Sequence, residues 1–245
     1  MQYFREKIIE IKRIKDLIIL KLPYSGEVLP GQFFMLGNDR APALLNRPFS
    51  VSDFSENIIT FRIRITGKFT EFLQGLRQGD ILKIIGPCGN GIDIEDFENY
   101  KNIYLIGGGI GIAPLIYLKK YLKLHEIKSK LIIGIPSDKF LHYLNDIRIH
   151  DITIFTEDGS FGLKGFPTDI LDSINSNDSL IVACGPEAMY KTLKNKKIKA
   201  KVLMEQVMAC GFGACLGCVI ETKQGYKRVC VDGPVFDLDE VIFND

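Results

Sequence analysis

At 245 residues the chain is long enough for two ordinary domains and a small appendage, more than a single hydrophobic core would serve. A formal net charge of +1, with 46% hydrophobic and 25% charged residues, excludes a disordered composition and any field that would steer nucleic acid or hold an anionic membrane. The longest uncharged run, Asn102 to Leu118, holds four glycines and a proline and falls short of the roughly 20 apolar residues of a bilayer span, so no membrane helix is expected.

The N-terminus opens with charge and has no apolar signal-peptide core, which predicts a chain kept in the reducing cytoplasm. Residues 1–97 read as short strands punctuated by Gly and Pro: Lys7 to Ile14, Leu17 to Leu22, Gln32 to Leu36, Phe49 to Asp53, Ile58 to Ile65 and Asp80 to Ile85. Phe61-Arg-Ile-Arg-Ile65 alternates cleanly, with its arginines on one face, as a strand of a small antiparallel barrel would. Phe69, Phe72, Leu73 and Leu76 recur at helical spacing, so Thr70 to Leu76 is expected to form a short helix capping that barrel. From about residue 98 apolar runs alternate with helical segments: Ile103 to Ile106, Leu131 to Ile135, Ile152 to Thr156 and Leu180 to Ala183. This is the pattern of a parallel α/β sheet. Ile112 to Leu124 is the clearest helix, with Leu115, Leu118 and Leu122 inward and Lys119, Lys120 and Lys123 toward solvent. Met189 to Lys199 is a second, its lysines forming a solvated face. The expected architecture is therefore β plus α/β, divided as 1–97, 98–203 and a short C-terminal segment 204–245.

That last segment carries the most specific chemistry. Cys210, Cys215, Cys218 and Cys230 fall within 21 positions, as C-x4-C-x2-C followed after eleven residues by a fourth Cys. Thiolates are soft ligands, and this is the plant-type spacing for a [2Fe–2S] cluster. Gly211, Gly213 and Gly217 would let the backbone approach the sulfurs. Structural zinc and a disulfide framework are the competing readings. Zinc ribbons present two short knuckles where this chain has one, and a reducing compartment disfavours disulfides. Cys88 reads as a small buried apolar residue. His125, His142 and His150 lack ligand spacing.

Two segments of the barrel suit a pyrophosphate. Arg47-Pro-Phe-Ser50 supplies a guanidinium fork and a hydroxyl, and Gly67-Lys-Phe-Thr70 supplies backbone N–H groups at a helix start. Gly107-Gly-Gly-Ile-Gly-Ile-Ala-Pro114 lies between a strand and a helix, where phosphate-binding turns occur. It departs from the standard dinucleotide fingerprint, because Ile112 stands where the third Gly or Ala belongs and no acidic residue ends the next strand. Two further turns, Thr156-Glu-Asp-Gly-Ser-Phe-Gly162 and Cys184-Gly-Pro-Glu187, follow later strands, and together the three point to a nucleotide crevice.

The order of Arg-Pro-Phe-Ser, Gly86-Pro-Cys-Gly-Asn-Gly91, the glycine turn at 107–114, Gly159-Ser-Phe-Gly162, Cys184-Gly-Pro-Glu187 and the cysteine run resembles the ferredoxin reductase superfamily. Met208-Ala-Cys-Gly-Phe-Gly-Ala-Cys-Leu-Gly-Cys218 and Val229-Cys-Val-Asp-Gly-Pro-Val-Phe236 narrow the resemblance to the electron-transfer subunits of heteromeric, type B dihydroorotate dehydrogenases. The resemblance covers essentially the whole chain. It implies FAD on the barrel, NAD(H) on the α/β domain and [2Fe–2S] at the C-terminal end. By the same resemblance Arg47 and Thr70, with Gly67 in that turn, contact FAD phosphates, and Pro48, Phe49, Ser50, Arg62, Ile63 and Arg64 lie along the flavin. Gly107, Gly108, Gly109 and Gly111 match the pyridine-nucleotide turn, and Cys184 stands where nicotinamide meets flavin. Phe69, Pro136 and Val207 depart from the family, which carries Gly, Arg and Arg at these positions. The partner implied is a catalytic dihydroorotate dehydrogenase chain with FMN, in a heterotetramer of two plus two. Substrate oxidation would belong to that partner, with no catalytic residue for it in this chain. Alternatives are the small subunit of a ferredoxin–NADP reductase or sulfide dehydrogenase complex, a class with Asp where Cys210 stands, and a zinc-stabilised binding protein without enzyme activity.

Overall fold

The computed structural model describes residues 1–147, 149 and 151–244. Its first half is one antiparallel sheet of seven strands: β1 (Gln2–Lys7), β2 (Glu10–Ile14), β3 (Leu17–Pro23), β4 (Phe33–Gly37), β5 (Arg47–Ser55), β6 (Ile58–Arg64) and β7 (Ile81–Cys88), ordered β1-β7-β4-β5-β6-β3-β2. The two end strands are consecutive in the chain, separated only by Ile8 and Ile9, so the sheet curls until one bent strand serves both edges. Closure of this kind removes free edges. The expected strand Lys7 to Ile14 is thus corrected to the shorter β2, with β1 preceding it as an additional N-terminal strand.

Inward residues fill the barrel, among them Leu20, Phe34, Leu36, Phe61, Ile63 and Ile84. Helix α1 (Lys68–Gln74) plugs one end with Phe69, Leu73 and nearby Leu76, all buried, as the helical spacing of these residues predicts. The clean alternation of β6 sends Phe61 and Ile63 into this core and leaves Arg62 and Arg64 on the opposite face.

The second sheet contains β8 (Asn102–Gly108), β9 (Ser129–Ile135), β10 (Ile152–Thr156), β11 (Leu163–Lys164), β12 (Ser179–Cys184), β13 (Ala200–Leu203) and β16 (Val235–Asp237). Its order is β11-β10-β9-β8-β12-β13-β16, parallel except for the last strand. A hairpin of β14 (Val219–Thr222) and β15 (Gly225–Arg228) precedes β16 in the chain. Ile103, Leu105, Leu131 and Ile133 pack under helix α2 (Ile112–Leu124), while Ile106, Ile132, Ile181 and Ala183 face helix α3 (Glu187–Asn195). Strands covered on both faces need apolar residues at every position, which is why β12 is wholly buried.

Helix α2 is buried on more of its surface than an outer helix, because it is wedged between this sheet and the barrel. Tyr117 donates to the Val28 carbonyl at 2.6 Å, and Lys120 pairs with Asp53 of β5 at 2.6 Å. The expectation that Lys119 and Lys120 point freely to solvent is corrected: Lys119 bonds the Ser129 carbonyl, and both are half-buried. The lysines of α3 likewise hold the tail, Lys191 bonding the Asn244 carbonyl at 3.1 Å and Lys194 the Val241 carbonyl. No helix of the described residues is long and apolar enough to cross a membrane.

Candidate cofactor sites

Sheet order reverses at β8, whose neighbours β9 and β12 lead away to opposite sides, and ligand crevices open beyond the C-terminal ends of strands at such a point. A cavity of about 710 Å³ lies there. The turn after β8 contributes Gly108, Gly109, Ile110 and Gly111, the end of β12 contributes Gly185 and Pro186, and the segment after β9 contributes Pro136, Phe140 and Tyr143. Gly109 has φ +55°, and a Cβ on Gly111 would stand 2.3 Å from the Cys184 carbonyl oxygen, so a side chain there would force the two strand ends apart. Gly107 sits deeper, beneath the start of α2, where a Cβ would meet the Ile112 backbone at 3.2 Å. Among the described lining residues one cation, Arg64, faces three carboxylates, Glu157, Asp169 and Glu205.

A second cavity, of about 340 Å³, opens between the barrel and the nucleotide domain. It brings together Pro48, Phe49 and Ser50 of β5, Arg62, Ile63 and Arg64 of β6, and Cys184 of β12, all anticipated from sequence, with Phe33, Met208 and Glu205 added. Apolar and aromatic walls with few polar groups suit a planar ring system. Arg64, Ile110 and Glu205 line both cavities, so the two sites meet there.

Other anticipated residues are placed differently. Arg47 turns back on its own loop, donating to the Leu45 carbonyl at 2.9 Å. The Thr70 hydroxyl accepts from the N–H groups of Thr66 and Gly67 at 2.9 and 3.0 Å and donates to the Gly67 carbonyl, which closes the turn before α1. Phe69 is buried and stacks on Phe49 with ring centroids 6.1 Å apart, so its ring supports a wall of the cavity. Arg62 is buried, its guanidinium held by the carbonyls of Tyr143 (3.2 Å) and Asn145 (2.6 Å), and burial lowers its pKa to about 10, which leaves it cationic at neutral pH.

Cys184 is buried at the end of β12, and burial, with the Glu205 charge added, pushes its thiol well above the usual value. It is therefore a neutral thiol and not a nucleophile. Tyr190 braces this corner, accepting from Gly185 N–H at 3.0 Å and donating to the Leu203 carbonyl at 2.7 Å. Glu205 reaches solvent through the cavities, yet the protein around it raises its carboxyl above the ordinary range. Neither Tyr190 nor Glu205 was anticipated. Each is a single residue of a common type, and only the fold brings them to Cys184.

The cysteine loop is built on main-chain geometry. Gly211 and Gly213 have φ of +77° and +86°, and a Cβ on Gly211 would stand 2.4 Å from Met35 of the barrel. Burial opposes ionisation of Cys210, but backbone N–H groups of Phe212, Cys215 and Ala214 directed at its sulfur outweigh that and bring it to about 6. Cys230 is pushed up to about 12 by burial and by Cys218 beside it. The thiols lie in two pairs: Cys210 bonds Cys215, and Cys218 accepts from the Cys230 N–H at 3.4 Å and is also bonded to its thiol. Among the described residues no three Cys, His, Asp or Glu side chains group around one point as a single metal ion requires. Two pairs of thiols, each able to serve one iron, fit a [2Fe–2S] rhomb better than a tetrahedral zinc. Cys218 and Cys230 are buried, whereas Cys215, Phe212 and Leu216 are exposed. Phe33 and Met208 pack in the same core as Cys218 and Cys230 and also line the 340 Å³ cavity, so the two regions are joined by packed side chains. Cys88 is buried, as expected. Of the histidines, His142 bonds Asp16, and His150 lies outside the described residues.

Comparison with known proteins agrees with this construction. A family model described as "Iron-sulfur cluster binding domain of dihydroorotate dehydrogenase B" matches residues 205–242. The "Dihydroorotate dehydrogenase B (NAD(+)), electron transfer subunit" of Caldanaerobacter subterraneus subsp. tengcongensis is 40% identical over 222 residues, 87% of each chain. The protein of that name from Clostridium acetobutylicum is 37% identical over 253 aligned residues, covering 100% of this chain and 99% of its own. Among solved structures, a chain from the NADH-dependent reduced ferredoxin-NADP oxidoreductase superposes with a TM-score of 0.85 at 27% identity, over 97% of this chain and 89% of that one. A ferredoxin NADP+ reductase from Neisseria gonorrhoeae, at 18% identity and a TM-score of 0.69 over 80% and 90% of the two chains, shows the same fold. The likeness in sequence runs from the first barrel strand through the cysteine loop, and the chain belongs to the family of electron-transfer subunits of NAD+-linked dihydroorotate dehydrogenase B.

Proposed function

We propose that this chain passes electrons from a catalytic dihydroorotate dehydrogenase subunit, by way of [2Fe–2S] and FAD, to NAD+. The observation that carries the reading is the continuity of three sites: the nucleotide crevice and the barrel cavity share Arg64, Ile110 and Glu205, and Phe33 and Met208 connect that cavity to the buried thiols. Nicotinamide exchanges hydride, flavin accepts one electron or two, and the cluster carries single electrons, so that spatial order suits the chemistry.

Cys210 and Cys215 would hold one iron, and Cys218 and Cys230 the other. Pro48, Phe49, Ser50, Ile63 and Arg64 would hold the flavin ring, with Arg62 supporting the same wall. Arg47, Gly67 and Thr70 would lie along the FAD phosphates once Arg47 leaves its loop carbonyls. Gly108, Gly109 and Gly111 would face the NAD pyrophosphate, Gly107 would let the turn pack beneath α2, and Cys184 would lie beside the nicotinamide. Three carboxylates against one arginine in the crevice disfavour a dinucleotide with an extra phosphate, which supports NAD(H) over NADP(H). The functional units are 1–97 for FAD, 98–203 for NAD and 204–245 for the cluster. The last boundary separates roles and not packing, since β16 pairs with β13. The exposed edge at Cys215, Phe212 and Leu216 would face the partner, an FMN-containing chain in a two-plus-two heterotetramer. The ferredoxin–NADP oxidoreductase likeness keeps a second partner class in view, but the relatives sharing more than a third of their residues carry the dihydroorotate dehydrogenase name.

The cofactor-loaded chain alone should reduce a dye with NADH and show flavin and [2Fe–2S] absorption, yet leave dihydroorotate untouched. Dihydroorotate oxidation by the pure single chain would end this division of labour.

A further inference from the structure

The segment after β9, residues 136–147, belongs to the nucleotide domain but is fastened to the barrel. Asp16, in the turn between β2 and β3, is the centre of that attachment. Its carboxylate accepts from Tyr143 Oη at 2.8 Å and from His142 Nε2, and stands 3.5 Å from Arg64 Nε. The other ring nitrogen of His142 faces the Lys139 carbonyl at 2.8 Å. Arg62 binds the Tyr143 and Asn145 carbonyls, Lys15 reaches the Lys139 carbonyl at 3.1 Å, and Lys12 pairs with Asp146 at 3.1 Å. Beneath these bonds Leu17 and Ile19 of β3 form a small core with Tyr143, Phe140 and Ile110.

Three members of this assembly, Tyr143, Phe140 and Arg64, line the nucleotide crevice, and Ile110 lies in its glycine turn. Asp16 lines neither cavity. Taking the crevice as the NAD site, as proposed above, we infer that Asp16 is a positioning residue for the dinucleotide, acting from the flavin domain by fixing Tyr143, and through it Ile110, and by orienting Arg64 where the two cofactor sites meet. The physical basis is that hydrogen bonds to a charged group are stronger than neutral ones, and Asp16 has two such bonds from one segment together with an arginine from another element. Without the carboxylate, the wall and the glycine turn lose their common anchor. A smaller fraction of molecules then presents a competent crevice, and apparent affinity falls by that fraction.

The test uses the full chain loaded with FAD and cluster. Asp16→Asn is expected to weaken NAD+ binding about tenfold, corresponding to a competent fraction near a tenth. KM for NADH in dye reduction should rise in parallel, while kcat stays within about twofold, because the reacting groups are untouched. Flavin content and cluster absorption should match wild type. Tyr143→Phe, which removes one of the bonds without changing charge, should weaken binding in the same direction, and the double variant should be less than additive. Asp39→Asn, which removes a carboxylate from the same domain far from the crevice, should leave the affinity unchanged. Wild-type NAD+ affinity in a cofactor-loaded Asp16→Asn or Tyr143→Phe protein overturns the inference, as does an equal loss in Asp39→Asn. Absence of saturable NAD+ binding by the wild type would instead overturn the assignment of the crevice, and the inference with it.

Discussion

The cysteine loop and the nucleotide crevice solve the problem of holding a cofactor in opposite ways. The loop gathers its four thiols within 21 consecutive positions and shapes them with local glycine geometry and backbone N–H groups. The crevice is assembled from β6, the turns after β8, β9, β10 and β12, and Glu205 after β13, segments spread over more than half the chain. A concentrated site stakes everything on a few atoms. A dispersed one divides binding over many weak contacts, so no single side chain dominates it.

Changes at the two sites should therefore differ in size. The largest effect is expected from Cys218→Ser, which removes a buried ligand: the visible cluster absorption and electron transfer to the partner should vanish together. NADH-to-dye activity should stay within about twofold of wild type, because hydride exchange between nicotinamide and flavin does not pass through the cluster. A parallel loss of dye activity would show that the two sites are not separable. Next in size is Gly111→Ala, which places a methyl group against the Cys184 carbonyl. Crowding of this kind costs about 1–3 kcal/mol, and where that cost falls on the binding-competent turn NAD+ affinity measured by titration should fall by about five- to 150-fold with the cluster intact. Unchanged affinity would mean that the two strand ends can separate freely.

The smallest effect is expected from Glu205→Gln, and it depends on pH. Burial raises the folded carboxyl above its usual value, so ionisation penalises the folded state. The stability associated with the protonated form is present below the unfolded value and is lost as pH rises through the raised one. The glutamine variant escapes that loss. Its Tm should exceed that of wild type slightly at neutral pH, with the difference closing near pH 4, around the ordinary carboxylate value. A variant less stable at neutral pH would show that Glu205 makes a compensating contact.

This contrast also decided what could be read from the sequence. The cysteine spacing was legible because its determinants are local. So were the barrel strand at Phe61 to Ile65 and the glycine turn at 107–111, where periodicity and φ requirements mark single positions. Strand β1 was missed because alternate residues along it are exposed and its apolar content is low. β13 is four residues long and follows a run of lysines, and β16 is recognisable only once β13 is known. Asp16, Tyr143 and Glu205 are ordinary residues whose roles arise from tertiary neighbours as far as 127 positions away in the chain. Arg47, Thr70 and Arg62 were marked by motif, but in this structure their polar groups serve the loop, the helix cap and the domain seam.

The pairing of β16 with β13 bears on how the molecule is made. During synthesis, the barrel and every parallel strand of the second sheet are complete before Cys210 leaves the ribosome. At that stage β13, with the buried residues Val202 and Leu203, has a bare outer edge, which residues 235–237, beyond the last cysteine, later cover. An uncovered strand edge is a template for pairing with another chain. Metallation of the four cysteines and protection of that edge thus belong to the same final stretch of polypeptide. A chain that stops short of residue 235 would leave that edge uncovered and prone to self-association.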